Sequence, residues 1–157
     1  MSISNWINIF SDTQTPQDVE HFLREEIKEL IVELNAGYSP ECDKIKELAD
    51  VIWCATALIE KLGYDSAKVM ELLKVNNMSK TFSSMEEAEA QCPEWCRVVG
   101  AGDVYVILND NNKICKPLNF KKLKKADIDE TKYYKHGDGY SLRCAYGRWA
   151  VSRRASS

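Results

Sequence analysis

The sequence has no long apolar run, and its first residues do not have the pattern expected of a secretory leader. None of its hydrophobic stretches approaches the roughly 20 residues that a membrane-spanning helix requires. Residues 1–10 lack the basic start and the apolar stretch that are typical of a signal peptide. We therefore expect a soluble, cytoplasmic protein with no membrane partner.

A second pair of cysteines at zinc-ligand spacing is also missing. Cys92 and Cys96 have the spacing C-x3-C, and no matching pair of Cys or His follows them. Six cysteines would allow three disulfides in a secreted protein, but without a leader we expect free thiols. Zinc is therefore not the metal that this sequence favours.

The net charge of −3 conceals two halves of opposite sign. Residues 1–90 contain 17 acidic and 8 basic side chains, whereas residues 91–157 contain 7 acidic and 13 basic ones. A basic segment suits nucleic acid, a phosphorylated small molecule or the acidic half of a neighbouring subunit. Charge alone does not choose among these three partners.

The acidic half is patterned as helices. Thr15-Pro16 is a strong helix start, with a threonine N-cap and proline at the first helical position, and the apolar stripe that follows runs to Asn35. A second helix is predicted over residues 41–62, and its segment 51–59 is apolar nearly all round. A third helix is predicted over residues 66–79.

The basic half reads as short strands and loops. Asp103–Leu108 is a predicted strand, Asn109–Asn112 a turn, and Lys113–Lys116 a returning strand, with another hairpin over residues 139–151. The sequence therefore predicts an all-α helical-bundle catalytic core in residues 1–90. A small β-containing extension follows in residues 91–157.

Two pairs of carboxylates lie on the first two predicted helices. Glu26 and Glu29 are three residues apart on the first, and Glu47 and Asp50 are three apart on the second. At about 100° per residue, Glu26 falls inside the apolar stripe of its helix. Either pair alone is usually a solvated face, but four carboxylates in one helix seam would repel and lose hydration. A divalent cation removes this conflict, and oxygen ligands without a His or Cys set suit Mg²⁺ or Mn²⁺.

The two motifs, E-E-x-x-E and then E-x-x-D, resemble the signature of the all-α nucleoside triphosphate pyrophosphohydrolases. That superfamily includes MazG-like enzymes, dimeric dUTPases and phosphoribosyl-ATP pyrophosphohydrolases. The stretch Asn77-Met-Ser-Lys80 is similar to the end of the third core helix in phage and bacterial members. The run from Asn112 to Phe120 is similar to an element that follows the helices in that branch. The resemblance covers residues 16–120.

The resemblance implies that a nucleoside triphosphate is hydrolysed to its monophosphate and pyrophosphate, with two or more Mg²⁺ or Mn²⁺ ions at each site. The implied metal ligands are the four paired carboxylates, Glu26, Glu29, Glu47 and Asp50. Catalytic roles are expected for the carboxylates of the first motif, Glu25, Glu26 and Glu29, where Glu25 is either a ligand or a base. The expected localisation is the cytoplasm of a bacterial or phage-infected cell.

Substrate binding is expected on the second and third helices. Lys74, Asn77 and Lys80 recur every three residues, which lines up one amide and two ammonium groups along a phosphate chain. Trp53 is a candidate for stacking on the base, although a tryptophan in an apolar run is more often a core or interface residue.

The motifs indicate triphosphate chemistry but not the base. The phage branch favours a purine deoxynucleotide, dGTP or dATP. Two alternatives stay open: a house-cleaning hydrolase of non-standard nucleotides, and a non-catalytic helical dimer that binds nucleic acid through its basic tail. The apolar segment 51–59 and the family both favour a homodimer or homotetramer.

Overall fold

The computed structural model of the chain describes residues 13–133, so the hairpin predicted over residues 139–151 lies outside them. The elements follow in the order α1 (Pro16–Asn35), α2 (Glu41–Lys61), α3 (Ser66–Met78), β1 (Thr81–Phe82), α4 (Met85–Ala90), β2 (Arg97–Ala101), β3 (Val104–Leu108) and α5 (Lys125–Asp129). The prediction of a helical protein with a small β part is confirmed at this level. Among the helices of residues 13–133, none combines the length and apolarity needed to span a bilayer.

The chain divides into two compact units. Within the described residues, the first comprises residues 13–66 together with 131–133, and the second comprises residues 67–130. The division predicted at residue 90, between a catalytic core and an extension, concerns function and stays a prediction. In the structure Ala90 is the last residue of α4 and belongs to the second unit.

The first unit is built on α1 and α2. Thr15 caps α1 as the sequence predicts: its hydroxyl accepts from the Asp18 N–H at 3.2 Å, and Asp18 Oδ2 accepts from the Thr15 N–H at 2.8 Å. Helix α2 ends at Lys61, and Gly63, two residues beyond, has a φ of +87° that suits a residue without a Cβ. The Tyr64 N–H then donates to the Ile59 carbonyl at 3.1 Å, which closes the helix end.

Most large apolar side chains of this helix pair are open to solvent. Val19 is the buried apolar residue of α1, at 3% exposed. Ile31, Ile45 and Ile52 are each more than half exposed, and Ile52 belongs to the segment that the sequence marks as apolar all round. Two helices have only one shared seam, so they leave the remaining apolar surface uncovered.

The second unit is a three-stranded antiparallel sheet with strand order β1-β3-β2 and a short helix, α4. Its core is small and contains Ala88 and Ile107, both fully buried. Ala88 lies on α4, and its small side chain lets the helix approach the sheet closely. Cys115 is also buried, and its N–H donates to the Ile107 carbonyl at 2.8 Å.

The predicted returning segment pairs with only the end of strand β3, and the sequence missed the main partners of β3, which are β1 and β2. β3 pairs with the upstream strand β2 through a two-residue turn at Gly102 and Asp103, whereas the downstream segment makes one isolated bridge, between Leu108 and Ile114. Gly102 has a φ of +65°, and glycine at the first turn position suits a tight hairpin. The Asn-rich turn after β3 exists, but the chain leaves the sheet soon after it.

Candidate metal centre

Three carboxylates from α1 and α2 converge in the first unit. Glu26 and Glu29 lie one helical turn apart on α1, and Glu47 lies on α2. One oxygen from each of the three lies within 4.8 Å of the others. Three of the four predicted metal ligands are therefore brought together by the packing of these two helices.

Glu47 is the most buried member of this cluster, at 8% exposed. Its Oε1 accepts from Lys46 Nζ at 2.9 Å. Its Oε2 is buried and has no hydrogen-bond partner among residues 13–133. A buried carboxylate oxygen without a donor is destabilising, so this position favours a cation.

Glu26 is half-buried and experiences the charges of its neighbours. Burial raises the pKa of its carboxyl above the usual value, and repulsion from Glu29, Asp50 and Glu47 raises that pKa further. Lys46 offsets part of this rise. The cluster therefore holds more negative charge than the residues in the range 13–133 neutralise.

Asp50, the fourth predicted ligand, is not part of the close group of three. Its Oδ2 accepts from Lys46 Nζ at 3.0 Å. Lys46 thus bonds Glu47 and Asp50 together, and these two hydrogen bonds raise the pKa of its ammonium group. Sequence reasoning missed Lys46, although its spacing of four residues before Asp50 is that of a helical ion pair.

Glu25 lies apart from the cluster. Its Oε1 accepts from Lys28 Nζ at 2.7 Å, and this hydrogen bond lowers the pKa of the Glu25 carboxyl. A lowered pKa makes the group a weaker base, so the predicted catalytic role of Glu25 stays a prediction with less support than that of Glu26. Trp53 is half-buried on α2, one turn after Asp50, and its stacking role also stays a prediction.

Lys74 and Asn77 lie on α3, whereas Lys80, predicted on the same helix, lies two residues beyond its end; all three belong to the second unit. Lys74 Nζ lies 3.4 Å from a carboxylate oxygen of Glu71 on the same helix, in an exposed ion pair. Lys80 Nζ instead donates to Asn77 Oδ1 at 2.6 Å. Asn77 therefore holds the Lys80 ammonium group by a hydrogen bond, whereas the Lys74 ammonium group pairs with an acidic neighbour.

Comparisons of the chain with protein-family models, with curated proteins and with solved structures returned no match. The fold and the site define a mostly helical protein with a small three-stranded sheet and an acidic seam between its first two long helices.

Proposed function

We propose that this protein is a divalent-metal-dependent nucleoside triphosphate pyrophosphohydrolase with a MazG-like helical core. The observation that carries the proposal is the convergence of Glu26, Glu29 and Glu47, with Glu47 Oε2 buried and unpartnered among the described residues. Exposed acidic clusters are common without a metal, but a buried oxygen that lacks a donor is not.

The donor set fits a hard cation. The close group found among the described residues consists of carboxylates alone, a donor set that suits Mg²⁺ or Mn²⁺, and Glu26, Glu29 and Glu47 are the residues that would hold the ion. Asp50 is a further ligand when Lys46 releases it. A bound divalent ion would neutralise phosphate charge and lower the pKa of a water molecule.

The residues themselves set two conditions for activity. The carboxylates must be ionised, and repulsion within the cluster opposes this until a cation is bound. Lys46 competes with any cation for Glu47 and Asp50, because its ammonium already bonds both. Affinity for the metal is therefore set by a balance between carboxylate repulsion and the Lys46 ion pairs.

The proposed reaction breaks the anhydride bond between the α and β phosphates by addition of water. The products are a nucleoside monophosphate and pyrophosphate. We propose a purine deoxynucleoside triphosphate, dGTP or dATP, as the substrate on the basis of the phage-type resemblance. Asn77 and Lys80 are proposed to contact the substrate, and Trp53 to contact the base.

The proposed assembly is a homodimer or homotetramer in which a second copy covers the open face of α1 and α2. Ile31, Ile45 and Ile52 are 51%, 63% and 63% exposed, and leaving such side chains in water costs free energy. A second copy of the same helix pair offers a complementary apolar face, and a two-fold axis buries both faces at once.

The test is a panel of nucleoside triphosphates, each incubated with Mg²⁺ or Mn²⁺ and scored for monophosphate and pyrophosphate by chromatography. Asp50→Asn should abolish turnover while the far-ultraviolet circular dichroism of the helices is unchanged. Glu20→Gln is the matched control, because Glu20 is an exposed carboxylate on α1 that pairs with Arg24. Release of inorganic phosphate with a diphosphate product would contradict the proposal. A turnover rate in EDTA equal to that with Mg²⁺ or Mn²⁺ would also contradict it.

A further inference from the structure

A cluster of positive charge surrounds the ring of Phe120 in the second unit. Lys80 Nζ lies 5.5 Å from the centre of this ring, and Lys116 Nζ lies 5.6 Å from it. An aromatic face attracts a cation, but two ammonium groups on one ring also repel each other. An anion bound beside both ammonium groups would relieve that repulsion.

Neither ammonium group is paired with a carboxylate in the part of the chain that the structure describes. Among residues 13–133 no Asp or Glu lies within salt-bridge distance of Lys80 or Lys116. The hydrogen-bond partner of Lys80 is the neutral amide of Asn77. The segment 113–125 contains six lysines and no acidic residue, so the surrounding chain adds positive potential.

The segment that bears Phe120 is anchored by hydrogen bonds on both sides. The Asn76 side-chain amide donates to the Lys121 carbonyl at 2.8 Å, which ties the segment to α3. The Leu118 N–H donates to the Gln91 carbonyl at 3.0 Å, and the Asn119 N–H donates to Gln91 Oε1 at 3.1 Å. Lys80 and Lys116 are thus held near the same ring, although they are 36 positions apart in sequence.

We propose that Lys80, Lys116 and Phe120 form a phosphate-binding site, with Asn77 as the residue that positions Lys80. The identity of the ligand as a nucleoside triphosphate rests on the proposed function. A compact phosphate fits better than a nucleic-acid strand because both ammonium groups lie within 5.6 Å of the centre of one ring. A strand needs charges spread along a groove and aromatic faces open for base stacking, whereas lysines already occupy this ring.

The test uses inorganic tripolyphosphate as the probe in EDTA, with binding measured by isothermal titration calorimetry at fixed ionic strength. Lys80→Gln and Lys116→Gln should each weaken binding about tenfold, as expected for loss of one charge-assisted contact. Lys122→Gln is the matched control, because it removes the same charge from the same segment and should change the affinity less than about twofold. Phe120→Leu should also weaken tripolyphosphate binding, as the two lysine variants do.

Three results would overturn the proposal. The first is that tripolyphosphate does not bind the unaltered protein. The second is that Lys122→Gln and Lys116→Gln lose equal affinity, because that would indicate a diffuse positive potential rather than a defined site. The third is that a single-stranded DNA oligonucleotide binds more tightly than tripolyphosphate and that its binding depends on Lys80. Failure of the proposed function can be distinguished from failure of this binding site. In that case no pyrophosphate would be released in the presence of metal, while tripolyphosphate would still bind in EDTA.

Discussion

Replacing Glu47 with methionine should stabilise the metal-free protein and at the same time abolish its response to divalent cations. Glu47 is 8% exposed, with Oε2 buried and unpartnered among the described residues. Methionine has a similar length and no polar atom. The substitution removes both the orphaned oxygen and one negative charge that repels Glu26.

The expected size of the effect follows from the unpartnered oxygen. An unsatisfied buried polar group costs about 1–3 kcal/mol, which the lost hydrogen bond to the exposed Lys46 offsets in part. A net gain of about 1 kcal/mol would raise the melting temperature by roughly 2–4 °C for a chain of this size. In the unaltered protein, Mn²⁺ at 100 times its dissociation constant should add about 2.7 kcal/mol.

The assay is thermal unfolding at one protein concentration, first in EDTA and then with increasing Mn²⁺. Glu20→Met is the control, because Glu20 is an exposed carboxylate of α1 outside the cluster. Lys46→Met should shift the Mn²⁺ response to lower concentration, because it removes the competing ammonium. A Glu47→Met variant that melts lower than the unaltered protein in EDTA, or that keeps its full Mn²⁺ response, would refute the reasoning.

Three further predictions concern the first helix, the thiols and the assembly. Thr15→Ala should lower the unfolding free energy by about 1 kcal/mol in chemical denaturation. Because the Thr15 backbone and hydroxyl lower the pKa of Asp18, the stability from this cap is present above pH 3.8 and is lost as the pH falls through the lowered pKa. The difference in unfolding free energy between variant and parent should therefore narrow at that pH, and a constant difference would contradict the cap. In alkylation followed by mass spectrometry at pH 8, exposed Cys42 should react well before Cys96, since burial and the Cys115 thiol raise the pKa of Cys96 to about 11; equal rates would contradict this. Light scattering should show an oligomer that Ile52→Asp dissociates, and a monomer of the unaltered protein at micromolar concentration would refute the assembly.

Local sequence signals predicted the helices well. The Thr15-Pro16 start, the glycine at position 63 and the apolar period give α1 and α2 with ends within a residue or two of those expected. These signals work because capping and helical periodicity depend on residues within one or two turns of each other. The pairing of β3 with β1 and β2 was missed because strand partners are chosen by turn geometry and by side chains far away in sequence.

The carboxylate cluster was predictable in outline but not in its charge balance. Spacing on two consecutive helices is enough to place Glu26, Glu29 and Glu47 in one seam. The detail that Lys46 bonds both Glu47 and Asp50 depends on rotamers, which the sequence pattern does not specify.

By itself, the sequence determined the two long helices and the positions of the caps, because each depends on contacts between residues near in the chain. Only the tertiary structure decided that Glu47 is the buried member with an oxygen lacking a partner among the described residues, and that Lys80 and Lys116 meet at Phe120. Burial and the meeting of distant side chains depend on how elements pack, and packing is a property of the whole fold rather than of any segment.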